Sequence, residues 1–341
     1  MKKVKFLGID LAKTNFSVCA LSQSGEVLYR KSLKRDELLQ FMAQLPACTV
    51  GIEACGGSHY WGRVFERQGH QVKMMSVFSA KAFAPHQKKN DASDAQAIAV
   101  AASQHTVPSV RIKSTSSQDL DILKNLREQY VKHRVALINQ AHALCLEYGV
   151  SLPKSKTIKS LEKYFEVIEE SGNELTDIAR STVLELIDEA KSLNEKALQV
   201  EKKLSSLIES MDGFKFLNSV PGVGLMTAAA VLSQTGGKVD QFKNGRQFAA
   251  YLGLVPRQYS TGGRTTLRKI TKAGNPELRR LLVIGTRCVM LRSEKKSDQI
   301  SQWIVKKKQS KGFMRANIAL ANKTARIIYA VLKNQEMYKV A

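Results

Sequence analysis

The first hundred residues alternate short apolar runs with helical patterns. Apolar runs bounded by turn residues are typical of strands, and here they cover residues 4–10, 16–21, 26–33, 49–54 and 71–76. Helical spacing predicts helices over residues 36–45, 59–68 and 93–103. Residues 22–25 form a polar hairpin turn between the second and third strands. Three successive strands followed by alternating helices and strands predict an RNase H-like mixed α/β sheet, because a doubly wound nucleotide-binding fold needs a helix after its first strand.

Longer helical patterns fill the middle of the chain. Residues 119–148 and 175–211 carry apolar residues at intervals of three or four, and a shorter pattern covers residues 158–170. This spacing is typical of an antiparallel or coiled-coil spacer, and equally of the core of a helical bundle. The predicted domains are therefore residues 1–108, a helical spacer over 109–211, and a mainly helical domain over 212–341.

The last third begins with a glycine-containing turn before a helical run. Pro221-Gly222-Val223-Gly224 precedes residues 225–232, as in a helix–hairpin–helix element. Backbone N–H groups at such a helix start can bind a DNA phosphate, so Gly222 and Gly224 are candidate nucleic-acid contacts. A tight turn without a ligand is the alternative. Further on, residues 260–266 predict a Gly- and Thr-rich loop, and residues 275–291 predict a basic helix.

The net charge indicates a polyanionic partner. The chain has 53 Lys and Arg against 30 Asp and Glu, a net charge of +23, and phosphate contacts that release counterions favour nucleic acid. A membrane partner is disfavoured, since no basic amphipathic anchor has an aromatic face and no apolar run is long enough to span a bilayer. Five cysteines scattered without CxxC spacing and the lack of a signal-peptide pattern predict a cytoplasmic protein with reduced thiols.

Four carboxylates stand at the ends of predicted elements. Asp10 ends the first predicted strand, Glu53 is the last residue but one of the fourth, and Asp91 and Asp94 share one face of a helix start. Carboxylate oxygens suit Mg²⁺ or Mn²⁺, and two such ions about 4 Å apart can stabilise both oxygens of phosphodiester transfer. A turn residue at Asp10 and helix capping by the other two aspartates are the alternatives. Three flanking lysines would attract a DNA backbone: Lys81, Lys88 and Lys89.

A hydroxyl nucleophile among cations is the second candidate group. Ser260 and Thr261 precede Gly262-Gly263, and the surrounding arginines could neutralise a scissile phosphate. A basic surface loop that contacts DNA non-specifically is the alternative. The candidate nucleic-acid contacts here are Arg257, Arg264, Arg268, Lys269, Lys272, Arg279 and Arg280.

Along most of its length the chain resembles insertion-sequence transposases of the IS one-ten family, its eleven-eleven subgroup in particular, with the pilin-gene invertase Piv as a relative. The residues that carry the resemblance in the first hundred positions are Gly8-Ile9-Asp10-x-Ala12-Lys13, Ile52-Glu53-Ala54 and Asn90-Asp91-x-x-Asp94-Ala95. Those in the last third are Pro221-Gly222-Val223-Gly224, residues 246–258, Ser260-Thr261-Gly262-Gly263 and Ile270-Thr271-Lys272-x-Gly274-Asn275-x-x-Leu278-Arg279.

The resemblance implies a RuvC-like DEDD domain, a coiled-coil spacer and a C-terminal domain with a catalytic serine. The family's acidic tetrad corresponds to Asp10, Glu53, Asp91 and Asp94. Its serine corresponds to Ser260, although some relatives carry it one position later, where this chain has a threonine. It also implies a composite active site, usually built across subunits, and a phosphoserine–DNA intermediate followed by strand exchange through a junction. A structured non-coding bridge RNA would pair with the donor and target DNA.

The sequence therefore predicts a Mg²⁺-dependent, RNA-guided DNA recombinase of a bacterial insertion sequence. Its expected partners are double-stranded donor and target DNA, the guide RNA, and further copies of the chain in a homodimer or homotetramer at the bacterial nucleoid. A Holliday-junction resolvase-like nuclease would use the four acids to activate water and would not need Ser260. A non-catalytic architectural protein that binds nucleic acid would need neither the acids nor the serine.

Overall fold

The computed structural model describes residues 3–84, 90–153 and 158–339. Lys88 and Lys89, two of the predicted DNA-attracting lysines, lie outside the described residues. The chain forms two compact units, Met1–Ser114 and Thr115–Ala341. Within the described ranges, no helix is long and apolar enough to cross a membrane.

A five-stranded mixed sheet is the centre of the first unit, with strand order β3-β2-β1-β4-β5. The strands are β1 (Phe6–Asp10), β2 (Asn15–Leu21), β3 (Val27–Lys34), β4 (Thr49–Glu53) and β5 (Gln71–Met75). Strand β2 is antiparallel to β1 and β3, whereas β4 is parallel to β1 and β5. The predicted mixed sheet is confirmed, and its element order is consistent with an RNase H-like DEDD domain.

Helices cover both faces of this sheet. They are α1 (Arg35–Gln44), α2 (Ser58–Arg67), α3 (Val77–Lys81) and α4 (Asp91–Ser103). Successive side chains of a strand point to opposite faces, so Leu7 and Ile9 of β1 pack into the core that contains Trp61 of α2. On the other face lies α4, whose Ala95 and Ala99 are fully buried. Both faces of the central strands are therefore buried, which explains their apolar composition.

The second unit is mainly helical. Its helices are α5 (Thr115–Glu147), α6 (Ile158–Glu169), α7 (Asp177–Glu209), α8 (Phe214–Asn218), α9 (Leu225–Thr235), α10 (Gly245–Tyr251), α11 (Pro276–Arg292), α12 (Gln299–Lys311) and α13 (Phe313–Asn334). The sequence patterns predicted α5, α6, α7, α9 and α11, but they did not predict α12 or α13. A short 3₁₀ turn, Ser293–Lys295, follows α11.

The two 33-residue helices α5 and α7 pack against each other in antiparallel directions. Arg127 forms an ion pair with Glu201 at 2.6 Å, and Arg134 donates a hydrogen bond to Asn194. At one end of the pair, the helices enclose a core with α6. At the other end they join the core of α9, α11 and α13. The buried Lys124 of α5 contacts Glu277 of α11, which ties this end to the C-terminal helices.

The predicted loop over residues 260–266 is wrong. The structure places these residues in an antiparallel hairpin of β6 (Pro256–Thr261) and β7 (Arg264–Ile270). Gly262 and Gly263 have φ of +56° and +76°, which a two-residue hairpin turn of type I′ requires at both positions. The Ser and Thr residues that suggested a loop are instead paired strand residues, because the two glycines supply the whole turn.

Candidate active site

Two of the predicted acids end neighbouring parallel strands. Ile9 of β1 is opposite Ile52 of β4, so Asp10 and Glu53, the next residues, emerge at the same edge of the sheet. Both carboxylates are half-buried. The carboxyl ends of adjacent parallel strands are a common place for ligand sites, and here the strands hold both side chains on rigid backbone.

Helix α4 brings the other two acids to this edge because it packs on glycine. Gly8 and Gly51 are opposite each other in the central strands. A Cβ added to Gly8 would lie 2.1 Å from the carbonyl oxygen of Ala95, and one added to Gly51 would lie 2.7 Å from the Cβ of Ala102. The helix backbone therefore rests directly on β1 and β4. The sequence alone does not indicate this pair, although each glycine stands two positions before an acid.

The start of α4 is capped without Asp91 or Asp94. Asn90 is the N-cap residue, and its side-chain oxygen accepts a hydrogen bond from the backbone N–H of Ser93 at 2.8 Å. Ser93 Oγ in turn accepts one from the Asn90 N–H at 3.2 Å. This reciprocal arrangement is a capping box. The capping alternative for the two aspartates is therefore unnecessary, and both carboxylates remain available at the first turn.

The four acids act on one another electrostatically. Burial, followed by the charges of Asp94 and Asp91, raises the pKa of Asp10. Burial, followed by the charges of Asp10 and Asp94, raises the pKa of Glu53, while Lys81 opposes this shift. Like charges that raise each other's pKa lie close together in a poorly solvated place. The structure thus brings the four sequence-predicted acids near one another as an acidic cluster, with the predicted Lys81 beside Glu53.

The oxygen donors of this acidic cluster fit a hard divalent cation. Its oxygen donors are carboxylates, and a bound cation would offset the repulsion that, after burial, raises the pKa of Asp10 and Glu53. In the described part of the chain, no three His, Cys, Asp or Glu side chains already converge as a complete ion site. Binding of an ion would therefore require the carboxylate side chains to turn toward it.

In the second unit, Ser260 lies on the exposed β6–β7 hairpin, opposite Thr265. Its Oγ accepts a hydrogen bond from Gln258 Nε2 at 2.9 Å and lies 3.3 Å from Thr265 Oγ1. The three polar side chains share one face of the hairpin, because residues two apart in a strand point the same way. Local sequence indicates no role for Gln258 or Thr265, since their proximity to Ser260 depends on strand pairing.

Two of the predicted arginines lie on the other face. Thr261 follows Ser260 in β6, so its side chain points to the opposite face, and it is paired with Arg264. Arg268 extends over the ring of Tyr259, 5.4 Å from its centroid. Strand alternation therefore groups Arg264 and Arg268 with Thr261, not with Ser260. The hairpin thus separates the two neighbouring hydroxyls into different chemical surroundings.

Three other predicted cations contact the protein itself. Arg257 Nη2 donates to the carbonyl of Thr271 at 3.1 Å, across the base of the hairpin. Arg279 Nη1 donates to the carbonyls of Leu252 and Ala273, both at 3.0 Å. Arg280 pairs with Glu128 of α5 at 2.6 Å. All three arginines therefore stabilise the fold through contacts with other segments of the protein.

Two predicted lysines near the hairpin are exposed. Lys269 is exposed and lies where a bulge interrupts the pairing of β6 with β7. Lys272 is also exposed and has a left-handed backbone with φ of +54°. Exposed ammonium groups beside a candidate nucleophile are suited to phosphate contacts.

The glycines of the Pro221–Gly224 turn differ in their surroundings. Gly222 has φ of +84°, and an added Cβ would lie 2.9 Å from the carbonyl oxygen of Gly285 in α11. Gly224 is the N-cap of α9 and has no side-chain cap, and nothing lies within 4 Å of a Cβ added there. Gly222 is therefore required for packing, whereas Gly224 leaves the start of α9 open to a ligand.

Comparison with known proteins decides the family. A DEDD transposase family of the IS110 type matches residues 7–149, and the "Transposase IS116/IS110/IS902 family" matches residues 214–302. The chain is 35% identical over 339 residues to the transposase for insertion sequence element IS1111A of Coxiella burnetii, covering 99% of this chain and 92% of that protein. The chain belongs to the IS116/IS110/IS902 transposase family.

A second relative supports the same assignment. The transposase for insertion sequence element IS1328 of Yersinia enterocolitica is 35% identical over 332 residues, or 97% of each chain. Members of this family are enzymes that catalyse DNA strand transfer, so the predicted family and the predicted enzyme class are confirmed. The first matched range contains the four acids, and the second contains the Ser260 hairpin.

Proposed function

We propose that this IS110-family transposase cleaves and exchanges DNA strands with Mg²⁺, or Mn²⁺ in its place, held by Asp10, Glu53, Asp91 and Asp94. The observation that supports this most strongly is the packing of α4 on Gly8 and Gly51, which gathers four mutually repelling carboxylates at one sheet edge. If these acids served only as helix caps or turn residues, nothing would require the four carboxylates to lie close together. Lys81 beside Glu53 would attract the phosphate that the acids repel.

We propose Ser260 as the nucleophile. Its Oγ would bond to the scissile phosphorus while the bond from phosphorus to the leaving sugar oxygen breaks, giving a phosphoserine–DNA adduct and a free sugar hydroxyl. The proton that Ser260 loses balances the proton that the leaving sugar oxygen gains. The Gln258 amide donates to this Oγ, so it orients the hydroxyl and would stabilise the alkoxide that forms as the proton leaves. A divalent ion, when bound, would polarise the phosphate and offset the developing charge.

The finer assignments of partners are part of the same proposal. The carboxylates and Ser260 would act on one phosphodiester as a composite site, supplied by one chain or by two in a homodimer or homotetramer. A bridge RNA would pair with the double-stranded donor and target DNA. The net charge of +23 supports nucleic-acid binding. The paired helices α5 and α7 support a coiled-coil spacer, and the turn before α9 supports a helix–hairpin–helix contact through Gly224.

Trapping the adduct tests the nucleophile. Ser260→Ala should bind DNA and RNA normally but form no covalent protein–DNA adduct, because it lacks the attacking oxygen. Thr261→Ala is the matched control and should still form the adduct, since its hydroxyl lies on the opposite face of β6. Mass spectrometry of nuclease-digested protein would locate the modified residue. An adduct on Thr261 would overturn the assignment, and cleavage without any adduct would favour the resolvase-like nuclease.

Removing one carboxylate tests whether the acidic cluster binds a divalent ion. Asp10→Asn should abolish strand cleavage and leave nucleic-acid binding intact, because a negative charge near the DNA is lost while the cationic surfaces are unchanged. Excess EDTA should have the same effect on the wild-type protein, and added Mn²⁺ should restore activity to the wild type only. Full cleavage by Asp10→Asn, or in EDTA, would contradict the metal role.

A further inference from the structure

A groove lies beside the base of the Ser260 hairpin. The groove encloses about 780 Å³. Pro256, the first residue of β6, and Ile270, the last residue of β7, form one wall. Trp303 of α12 and one side of α13 form the remainder. None of the residues assigned above to the chemistry lines it.

The groove is lined by Lys and Arg side chains, and the helices that carry them have no acidic residues. Helices α12 and α13 contain no Asp or Glu. Two of their lysines are paired outside the groove, Lys308 with Glu294 and Lys333 with Asp240. Among the described residues, the cations that line the groove form no ion pair. They are Lys307, Arg315, Lys323 and Arg326.

An aromatic ring and apolar side chains lie between these cations. The Nζ atoms of Lys307 and Lys323 lie 5.9 Å and 4.9 Å from the ring centroid of Trp303. Ile318 and Ile327 add apolar surface from α13. Aromatic and apolar surface within a cationic groove is suited to unpaired nucleotides, whose bases stack while their phosphates contact the cations. The paired bases of a duplex are already stacked on each other and would leave the apolar surface uncovered.

The groove is held in place by its own contacts. Asn322 Nδ2 of α13 donates to the carbonyl of Leu254 at 3.1 Å, just before β6 begins. At Gly245, the first residue of α10, an added Cβ would lie 3.2 Å from the Cα of Arg326. These close contacts fix α13 against the segment that leads into the hairpin, so the groove exists before a ligand binds.

Its distance from Ser260 suits a strand that is being cleaved. Ser260 is four positions after Pro256 along β6, which corresponds to about 13 Å at roughly 3.3 Å per residue. That is the length of roughly four stacked nucleotides at about 3.4 Å each. A strand held at Ser260 could therefore place nucleotides a few positions away in the groove.

We propose that this groove binds an unpaired nucleic-acid strand, with bases against Trp303 and phosphates on Lys307, Lys323 and Arg326. The inference rests on the proposed function and deepens it, because strand exchange produces unpaired strands near the cleaved phosphate. Both an unpaired DNA strand and an unpaired RNA segment have this chemistry. Binding of matched DNA and RNA oligonucleotides distinguishes the two sources.

The test compares two double variants of the full chain. Lys307→Gln/Lys323→Gln removes two charges from the groove, and Lys306→Gln/Lys311→Gln removes two from exposed positions outside it. Affinity for a single-stranded 12-mer should fall about tenfold or more in the groove variant and about threefold or less in the control. Affinity for a 12-base-pair duplex should fall equally in both.

Tryptophan fluorescence gives a second measurement, because it reports contact of the bound strand with Trp303 and not the charge of the groove. The single-stranded 12-mer should quench the emission of the wild-type protein, and this quenching should be lost in Trp303→Phe, which keeps an aromatic side chain. Equal losses of single-strand affinity in the two double variants, or quenching that persists in Trp303→Phe, would overturn the groove assignment. Wild-type protein that binds neither single strands nor duplex would instead overturn the proposed function itself.

Discussion

At the scale of single residues, the surroundings of two neighbouring hydroxyls differ. Ser260 has an amide donor and a second hydroxyl on its face of the hairpin, whereas Thr261 shares its face with Arg264 and Tyr259. A serine hydroxyl is a weak nucleophile unless its neighbours favour the alkoxide. In the proposed reaction, the Gln258 amide would be the neighbour that does this for Ser260, which makes Gln258 a proposed positioning residue.

Replacing Gln258 should slow the attack without weakening binding. Gln258→Met keeps the length of the side chain but removes the donor, so adduct formation should slow about tenfold. The pH profile of adduct formation should also shift to higher pH in Gln258→Met, because the lost hydrogen bond to the alkoxide would otherwise lower the pKa of the serine hydroxyl. Rates of adduct formation measured across pH, beside DNA affinity, check this. Thr266→Val on the opposite face is the control, and an unchanged pH profile in Gln258→Met would contradict the assignment.

The raised pKa values of Asp10 and Glu53 affect stability. A carboxyl group with a raised pKa in the folded protein binds more protons there than in the unfolded chain. Its ionisation therefore lowers the free energy of unfolding as the pH rises through that window. Asp10→Asn should raise Tm at pH 7 by a few degrees, and the gain should disappear below the ordinary aspartate pKa of 3.8.

Thermal unfolding of both proteins at several pH values measures this effect. Millimolar Mg²⁺ should raise the Tm of the wild type more than that of Asp10→Asn, because an ion that binds only the folded state stabilises it. A variant that is less stable than the wild type at pH 7 would show that the Asp10 charge is not in a repulsive cluster.

At the scale of elements, the site depends on how closely α4 approaches the sheet. The helix backbone meets two glycines in adjacent strands, and a side chain at either one would collide with it. The first turn of α4 carries Asp91 and Asp94. A small outward shift of this helix would therefore move two carboxylates away from Asp10 and Glu53.

Gly8→Ala should lower both stability and activity. The added Cβ would lie 2.1 Å from the carbonyl oxygen of Ala95, so either the strand or the helix must move. We expect a loss of about 2 kcal/mol or more in the free energy of unfolding, as for other overpacked cores, together with a large loss of cleavage. Gly172→Ala is the matched control, since nothing lies within 4 Å of its Cβ. Denaturant unfolding and cleavage assays would measure both effects, and equal behaviour of the two variants would contradict the packing argument.

At the scale of the whole molecule, charge should dominate nucleic-acid affinity. The chain carries a net charge of +23, and each phosphate contact releases bound counterions from DNA. Contact with about six to ten phosphates should weaken binding roughly a thousandfold or more between 50 and 200 mM salt. A salt titration of duplex affinity measures this, and a nearly flat dependence would contradict extensive phosphate contact. Sequencing of RNA that copurifies with the protein would test the guide separately.

Local sequence pattern determined much of the first unit. Alternating apolar residues marked all five strands of its sheet, and the acids stood where strands or a helix begin or end, which is why Asp10 and Glu53 could be found without a structure. These features depend on residues close together in the chain. The same is true of the long helices, whose spacing of apolar residues is local.

Tertiary structure decided which side chains meet. Gly8 and Gly51 act together only because β1 and β4 pair in parallel, and Gln258 reaches Ser260 only because residues 256–270 pair as strands rather than forming a loop. Arg279 could be assigned to backbone carbonyls, and the Trp303 groove could be recognised, only after distant segments were packed. Composition and local periodicity carry no information about these contacts, because pairing register and the close approach of backbones join residues far apart in sequence.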